Sequence, residues 1–168
     1  VDLLGETLTT VTLSLAATLV TVAVGLVLAL TVRFQPSEGG RALLRLAGLG
    51  YAVPGTILAV SLLGPLARLD GWLASALEAV TGAAFGTLVL GSSLALVYAY
   101  CVRFMAISVG STDAGLAKLP PNLDAASRVL GHGPLSTVAR VHLPLAGPAI
   151  ASGALLVFVD CMKELPAT

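Results

Sequence analysis

The feature that most constrains this chain is an uncharged apolar run. From Leu8 to Val32 no Asp, Glu, Lys or Arg occurs, which exceeds the ~20 residues a helix needs to cross the hydrocarbon core of a bilayer. Lipid offers no hydrogen bonds, so the backbone of such a run must satisfy itself, and one long apolar segment does so as an α-helix. The run is too long for the apolar region of a signal peptide, and Asp2 and Glu6 rather than basic residues precede it.

Three more runs repeat the theme. Leu46–Ala67 is uncharged but contains Pro54-Gly55 and Gly64-Pro65; Pro54 removes a helical hydrogen bond, so this segment is expected to kink or to start late, near Tyr51. Ala79–Val102 is expected to span and to be closed by Arg103, and a fourth run holds from Leu145 to Val159. Between the first two lies a polar loop with Arg33, Pro36, Glu38, Gly39, Gly40, Arg41 and Arg45. Before the third, Trp72, Leu73, Ala76, Leu77 and Val80 share one helical face, which predicts an amphipathic helix lying at the membrane interface. Hydrophobic residues make up 57% of the chain and charged ones 11%, against about a quarter charged in soluble domains. The fold class is therefore all-α: a polytopic membrane helix bundle of about four spans. Residues 1–168 read as a single transmembrane domain with a cytoplasmic loop over 103–144, a fragment of a longer membrane protein.

Nine basic and nine acidic residues cancel, which leaves no electrostatic case for nucleic acid. Their placement says more. Arg33, Arg41, Arg45, Arg103, Lys118, Arg128 and Arg140 fall on one side of the expected spans, and Arg68 alone on the other. The positive-inside rule then puts the N-terminus outside and both basic loops in the cytoplasm. Cys101 and Cys161 lie in or beside apolar runs and read as packed thiols.

The passage Leu119–Pro144 is the most polar between apolar runs. Asn122 reads as the N-cap of a helix carrying Leu123, Ala126 and Leu130 on one face, with Asp124 and Arg128 as an i,i+4 pair. Gly131 reads as its C′ residue, Gly133-Pro134 as the start of a second helix with Leu135, Val138 and Val141, and Pro144 as its end. No phosphate-binding G-x-x-x-x-G-K-[ST], no H-E-x-x-H and no G-x-S-x-G occurs, so nucleotide hydrolysis and hydrolase chemistry have no anchor and no catalytic residue is assigned. His132 and His142 are single residues on different elements without a supporting Cys or acidic cluster, so no metal site is assigned. In the fourth run Asp160, Lys163 and Glu164 are spaced i, i+3, i+4. Ionisable groups in a span face a cavity, a pathway or one another. Three readings stand: a polar patch lining a translocation route opened by a break at Pro166, a self-neutralised Asp160–Lys163 pair holding helices together, or a short helix that has already reached the outer interface.

Leu119–Pro144 resembles the signature loop of permease subunits in bacterial binding-protein-dependent ABC importers: Glu-Ala-Ala, three residues, Gly, nine residues, then Ile-x-Leu-Pro. Ala125-Ala126-Ser127, Gly131 and Val141-His142-Leu143-Pro144 occupy those places at the same spacing. The family's glutamate is Ala125 here, with Asp124 one place early, and the third position is Ser127. Gly50–Ala59, Leu94–Phe104 and Asp160–Thr168 look like the ferric-iron branch of these permeases. The resemblance implies a type I importer permease without catalytic residues or cofactor. Its coupling helix would meet a separate ATPase subunit through Asp124, Ala125, Ala126, Ser127, Gly131, Val141, Leu143 and Pro144, and Asp160, Lys163 and Glu164 would line the route. Implied partners are ATP-binding cassette ATPases, a periplasmic solute-binding protein, a second permease half or subunit, and membrane lipid. The implied location is the bacterial inner membrane. Related permeases carry thiamine or phosphonate. A competing reading is an ATPase-independent secondary transporter or channel that uses Asp160, Lys163 and Glu164 as an ion relay.

Overall fold

A computed structural model describes residues 3–83 and 86–164, and among them every regular element is helical. Helix α1 spans Leu3–Phe34 and α2 Glu38–Leu49; a 3-10 turn at Gly50–Ala52 leads to α3, Gly55–Thr81. Helix α4 spans Ser93–Ala117, α5 Asn122–Val129 and α6 Pro134–Thr137, and a π-helical stretch, Val138–His142, runs into α7, Leu143–Glu164. Four helical bodies, Leu3–Phe34, Gly55–Thr81, Ser93–Ala117 and Pro134–Glu164, are long and apolar enough to cross a membrane.

The packing is inverted relative to a water-soluble bundle. On α1 the buried stripe is Ser14, Ala17, Thr18, Thr21, Gly25 and Ala29, while Leu15, Leu19 and Val27 point outward. Lipid is as apolar as leucine, so large side chains gain nothing by turning inward, and small ones let backbones approach. The Cβ that Gly25 lacks would land on the side chain of Ser108 in α4, and that of Gly153 in α7 on Ser111. Two hydroxyls on this stripe bond locally: Thr18 and Thr21 donate to the carbonyls of Ser14 (2.7 Å) and Ala17 (2.6 Å). Ser108 donates across to the Thr21 carbonyl at 3.1 Å. Two small cores join α1, α4 and α7: Ala17, Tyr100, Phe104, Val157 and Cys161 in one, Ala29, Leu116 and Ala146 in the other. Both cysteines are buried free thiols.

Several boundaries differ from the sequence reading. The expected loop after Arg33 folds from residue 38 as α2. Ser37 caps it, accepting from the Gly40 N–H at 3.0 Å, and Glu38 pairs with Arg41 at 2.6 Å. The second run does start late, at Gly55 just after Pro54, but it continues to Thr81. The expected interfacial helix is thus the second half of α3. Only Gly71 interrupts the helical residues there, at a cost of ~1 kcal/mol that does not stop propagation. Gly82, at φ 71°, ends the helix.

The third span is shifted furthest. Buried Asp70 accepts from the N–H groups of Leu88 (3.0 Å), Val89 (2.6 Å) and Leu90 (2.7 Å) and holds that segment as a turn. Helix α4 therefore starts at Ser93, so Arg103 lies inside it rather than closing it, and residues 103–117 belong to the helix rather than to the loop. The charge asymmetry survives without Arg103. Pro144 does not end a helix either. It sits in the first turn of α7, directly after the π stretch, where the Leu143 N–H bonds to the Val138 carbonyl. A proline clashes with the carbonyl four residues back and has no N–H; widening the preceding turn accommodates both. Asp2 and Pro166 lie outside the described residues.

Candidate functional site

The passage after α4 is a short double helix tied to the ends of the spans. Pro121 occupies the cap position of α5, so Asn122 is its first helical residue rather than its N-cap. At the other end the Gly131 N–H bonds to the Arg128 carbonyl and the His132 N–H to that of Ser127, both at 3.0 Å, with Gly131 at φ 80°. This is the paired pattern of a Schellman cap, in which a left-handed residue turns the chain sharply and glycine carries no Cβ penalty. Gly133 then caps α6, and Pro134 takes its first position.

Two side-chain contacts lock the hinge. The buried hydroxyls of Ser127 and Thr137 meet at 2.7 Å, and Thr137 also donates to the Gly133 carbonyl at 3.1 Å. Asp124 faces inward to a cluster that gathers four elements. From the end of α1, Arg33 reaches one carboxylate oxygen with Nη2 at 2.9 Å and Nε at 3.2 Å. The other oxygen accepts from His142 Nε2, in the π stretch, at 2.6 Å. Arg33 also donates to the Leu116 carbonyl (2.7 Å) at the end of α4. The Phe34 and His142 rings lie 5.3 Å apart, centroid to centroid. His142 is 1% exposed, so its orientation is set by these neighbours.

The outer side of the element is apolar. Val129 (87%), Leu130 (74%) and Leu135 (85%) are among its most exposed side chains. They stand on both flanks of Gly131. Of the residues expected to make that contact, Ala125 and Ala126 are exposed beside this knob and Gly131 forms its hinge. Asp124 and Ser127 point inward, Val141 is half-buried, and Leu143 and Pro144 are exposed in the first turn of α7. Asp124 is therefore engaged with Arg33 and His142 and does not stand in for a glutamate at Ala125. Sequence reasoning did not include Val129, Leu130, Leu135 and Arg33. The three apolar residues were discoverable as hydrophobes beside a glycine turn; Arg33's partnership, 91 residues away in the chain, was not.

The three ionisable groups of the fourth run separate. Lys163 pairs with Asp160 at 3.5 Å on an exposed flank, whereas Glu164 turns to α4 and pairs with Arg103 Nη2 at 2.8 Å. His132 contacts Ser136 and His142 contacts Asp124, and no group of three metal-ligand residues occurs among the described residues.

Residues 21–168 match the family described as "Binding-protein-dependent transport system inner membrane component". The inner membrane ABC transporter permease protein YdcU of Escherichia coli (strain K12) is 42% identical over 82 residues, covering 49% of this chain and 25% of that protein. The ferric transport system permease protein FbpB of Actinobacillus pleuropneumoniae is 29% identical over 143 residues, 85% of this chain and 18% of that protein. The chain thus spans a quarter or less of the length of these two relatives.

Proposed function

The chain belongs to the family of binding-protein-dependent transport system inner membrane components, and from that premise we propose that it is the coupling part of an ATP-driven importer of the bacterial inner membrane. The observation that carries this reading is the hinge at Gly131. An exposed apolar knob, Val129, Leu130 and Leu135, is fixed through Asp124, Arg33 and His142 to the cytoplasmic ends of α1, α4 and α7. The knob, with Ala125 and Ala126, would seat in a groove of a separate ATPase subunit. A displacement of the knob would then move three spans together, because each of them ends in one buried ion-pair cluster.

Two such permease halves, each on its ATPase, would alternate between inward- and outward-facing states as the ATPases close and open, with a periplasmic binding protein delivering the solute. We assign the solute as ferric iron, a reading supported by the similarity to the ferric transport permease of Actinobacillus pleuropneumoniae. The protein moves solute and performs no covalent chemistry; hydrolysis belongs to the partner.

The test uses the full-length permease co-expressed with its ATPase and reconstituted in vesicles. Leu135→Asp places a charge on the knob without touching the cluster. It is expected to abolish co-purification of the ATPase and binding-protein-stimulated radiolabelled ferric uptake while the permease still inserts. Normal co-purification and uptake would refute the coupling assignment. Coupled uptake of another solute in place of ferric iron would refute the substrate alone.

A further inference from the structure

A second polar cluster lies inside the bundle, away from the coupling loop. Helix α3 begins at Gly55 with no side chain capping its N-terminus, so its first N–H groups lack intrahelical partners. Gly55 packs directly on Arg103: a Cβ there would land on Nη1 of the guanidinium and lie 3.2 Å from Glu164 Oε2. Arg103 makes one ion pair, Nη2 to Glu164 Oε1 at 2.8 Å. Its Nε and Nη1 are buried and have no hydrogen-bond partner among the described residues. The hydroxyl of Tyr100, a residue only 5% exposed, is buried and unpartnered as well. Gly55, Tyr100, Arg103 and Glu164 line one cavity of ≈ 350 Å³, together with Thr56 and Leu96.

Unpaired donors at membrane depth are costly, and every donor here favours the same kind of ligand. A guanidinium presents N–H groups in a fork that matches a planar or tetrahedral oxyanion. A helix N-terminus adds partial positive charge and N–H groups without intrahelical partners, and a tyrosine hydroxyl can donate to a further oxygen. The group resting there now is itself a carboxylate, that of Glu164. We propose that Gly55, Tyr100 and Arg103 form an oxyanion-binding site within the membrane domain, closed in this conformation by Glu164, which an incoming carboxylate or phosphoryl-type group displaces from Arg103. Only the placement of the site on a transport route rests on the permease reading; the binding itself does not. The cargo then presents an oxyanion, either its own or that of a ligand still chelating a metal ion.

The test is calorimetric titration of the full-length permease–ATPase complex in lipid nanodiscs with inorganic phosphate, methylphosphonate and acetate. At least one oxyanion is expected to saturate. Phosphate and methylphosphonate without acetate would identify a phosphoryl-type cargo, and acetate alone a carboxylate. Glu164→Gln removes the competitor and is expected to tighten binding about tenfold. Arg103→Gln, and the charge-balanced double change Arg103→Gln/Glu164→Gln, are expected to abolish it, and Tyr100→Phe, which deletes only the hydroxyl, to weaken it several-fold. A purely structural Arg103–Glu164 pair would instead make Glu164→Gln as damaging as Arg103→Gln. That result, or no saturable oxyanion binding to wild type and Glu164→Gln, overturns the proposal. Co-purification of the ATPase is scored on the same preparations, so failure of the permease reading is seen separately.

Discussion

Replacing Asp124 with Asn tests whether the inward cluster fastens the loop to the spans. The carboxylate accepts from Arg33 on one oxygen and from His142 on the other, and the three side chains are largely buried, with 18%, 15% and 1% exposure for Asp124, Arg33 and His142. Asparagine keeps the shape but loses the charge that pairs with Arg33; its carbonyl can accept from Arg33 only if its N–H turns to His142 Nε2, which forces the imidazole proton onto the buried, unpartnered Nδ1. A hydrogen bond to a charged group contributes about 1.5–3 kcal/mol net, and breaking one side of a fully buried pair costs about 3–5 kcal/mol. With partial exposure of Arg33 relieving part of this, the loss is expected at about 2–3 kcal/mol. At 1.4 kcal/mol per factor of ten, that is about 30- to 150-fold in the local opening equilibrium. Hydrogen exchange in nanodiscs reads it directly. Protection of the Leu130, Gly131 and His132 amides, whose acceptors lie in α5, should fall by that factor, while α1 residues near Thr21 stay unchanged. Vesicle uptake should fall with it as ATP hydrolysis continues. A change below threefold at those three amides would refute the view that Asp124 anchors the loop.

Other perturbations address separate parts of the fold. Gly131→Val forces a β-branched residue to φ 80°, at a cost of about 1–2 kcal/mol or more, and should uncouple hydrolysis from uptake without loss of insertion; normal coupled uptake would count against the hinge. Ser127→Ala removes one hydroxyl of the Ser127–Thr137 contact and should cost about 1 kcal/mol, seen as roughly fivefold faster exchange in α6 alone. Gly153→Val drives a side chain into Ser111, whereas Gly147 in the same helix has nothing within 4 Å of its missing Cβ; thermal unfolding in detergent should fall by about 1–3 kcal/mol for the first and stay level for Gly147→Ala. Equal effects would show that the small residues are not the packing determinant.

The number of spans was legible in the sequence because lipid exposure needs only apolarity, which is a property of each residue by itself. The boundaries were not, because they depend on partners distant in the chain. Nothing near Ala83 or Gly86 says that the third span begins at Ser93. The cause is Asp70, whose carboxylate gathers the N–H groups of residues 88–90 from within a different helix. The passage Leu119–Pro144 shows the same division. Its hinge follows from Gly131 and from local spacing, but the direction each side chain faces does not. Periodicity over eight residues of α5 cannot separate the side that meets the spans from the side that stays exposed. The exposed knob emerges only once Arg33 and His142 are seen to hold Asp124 inward.

Arg103 makes the general point most sharply. A charge after an apolar run reads as the end of a span, because an unpaired guanidinium in lipid is costly. That inference assumes the charge is alone. Here Glu164, 61 residues away in the chain, supplies the opposite charge, and Gly55 has no side chain where the guanidinium must lie. Sequence distance hides both conditions. Yet the pair is incomplete, since one carboxylate engages one of the five donors a guanidinium carries while Nε and Nη1 stay unpartnered among the described residues. A pair kept only for stability would gain by replacement with apolar residues that pack as well. Retaining Arg103 at this depth, with spare donors, beside an uncapped helix start and a cavity, fits a group that exchanges one anion for another. Charge, which served first to count spans, thus marks the place in the bundle where the proposed exchange of anions would occur.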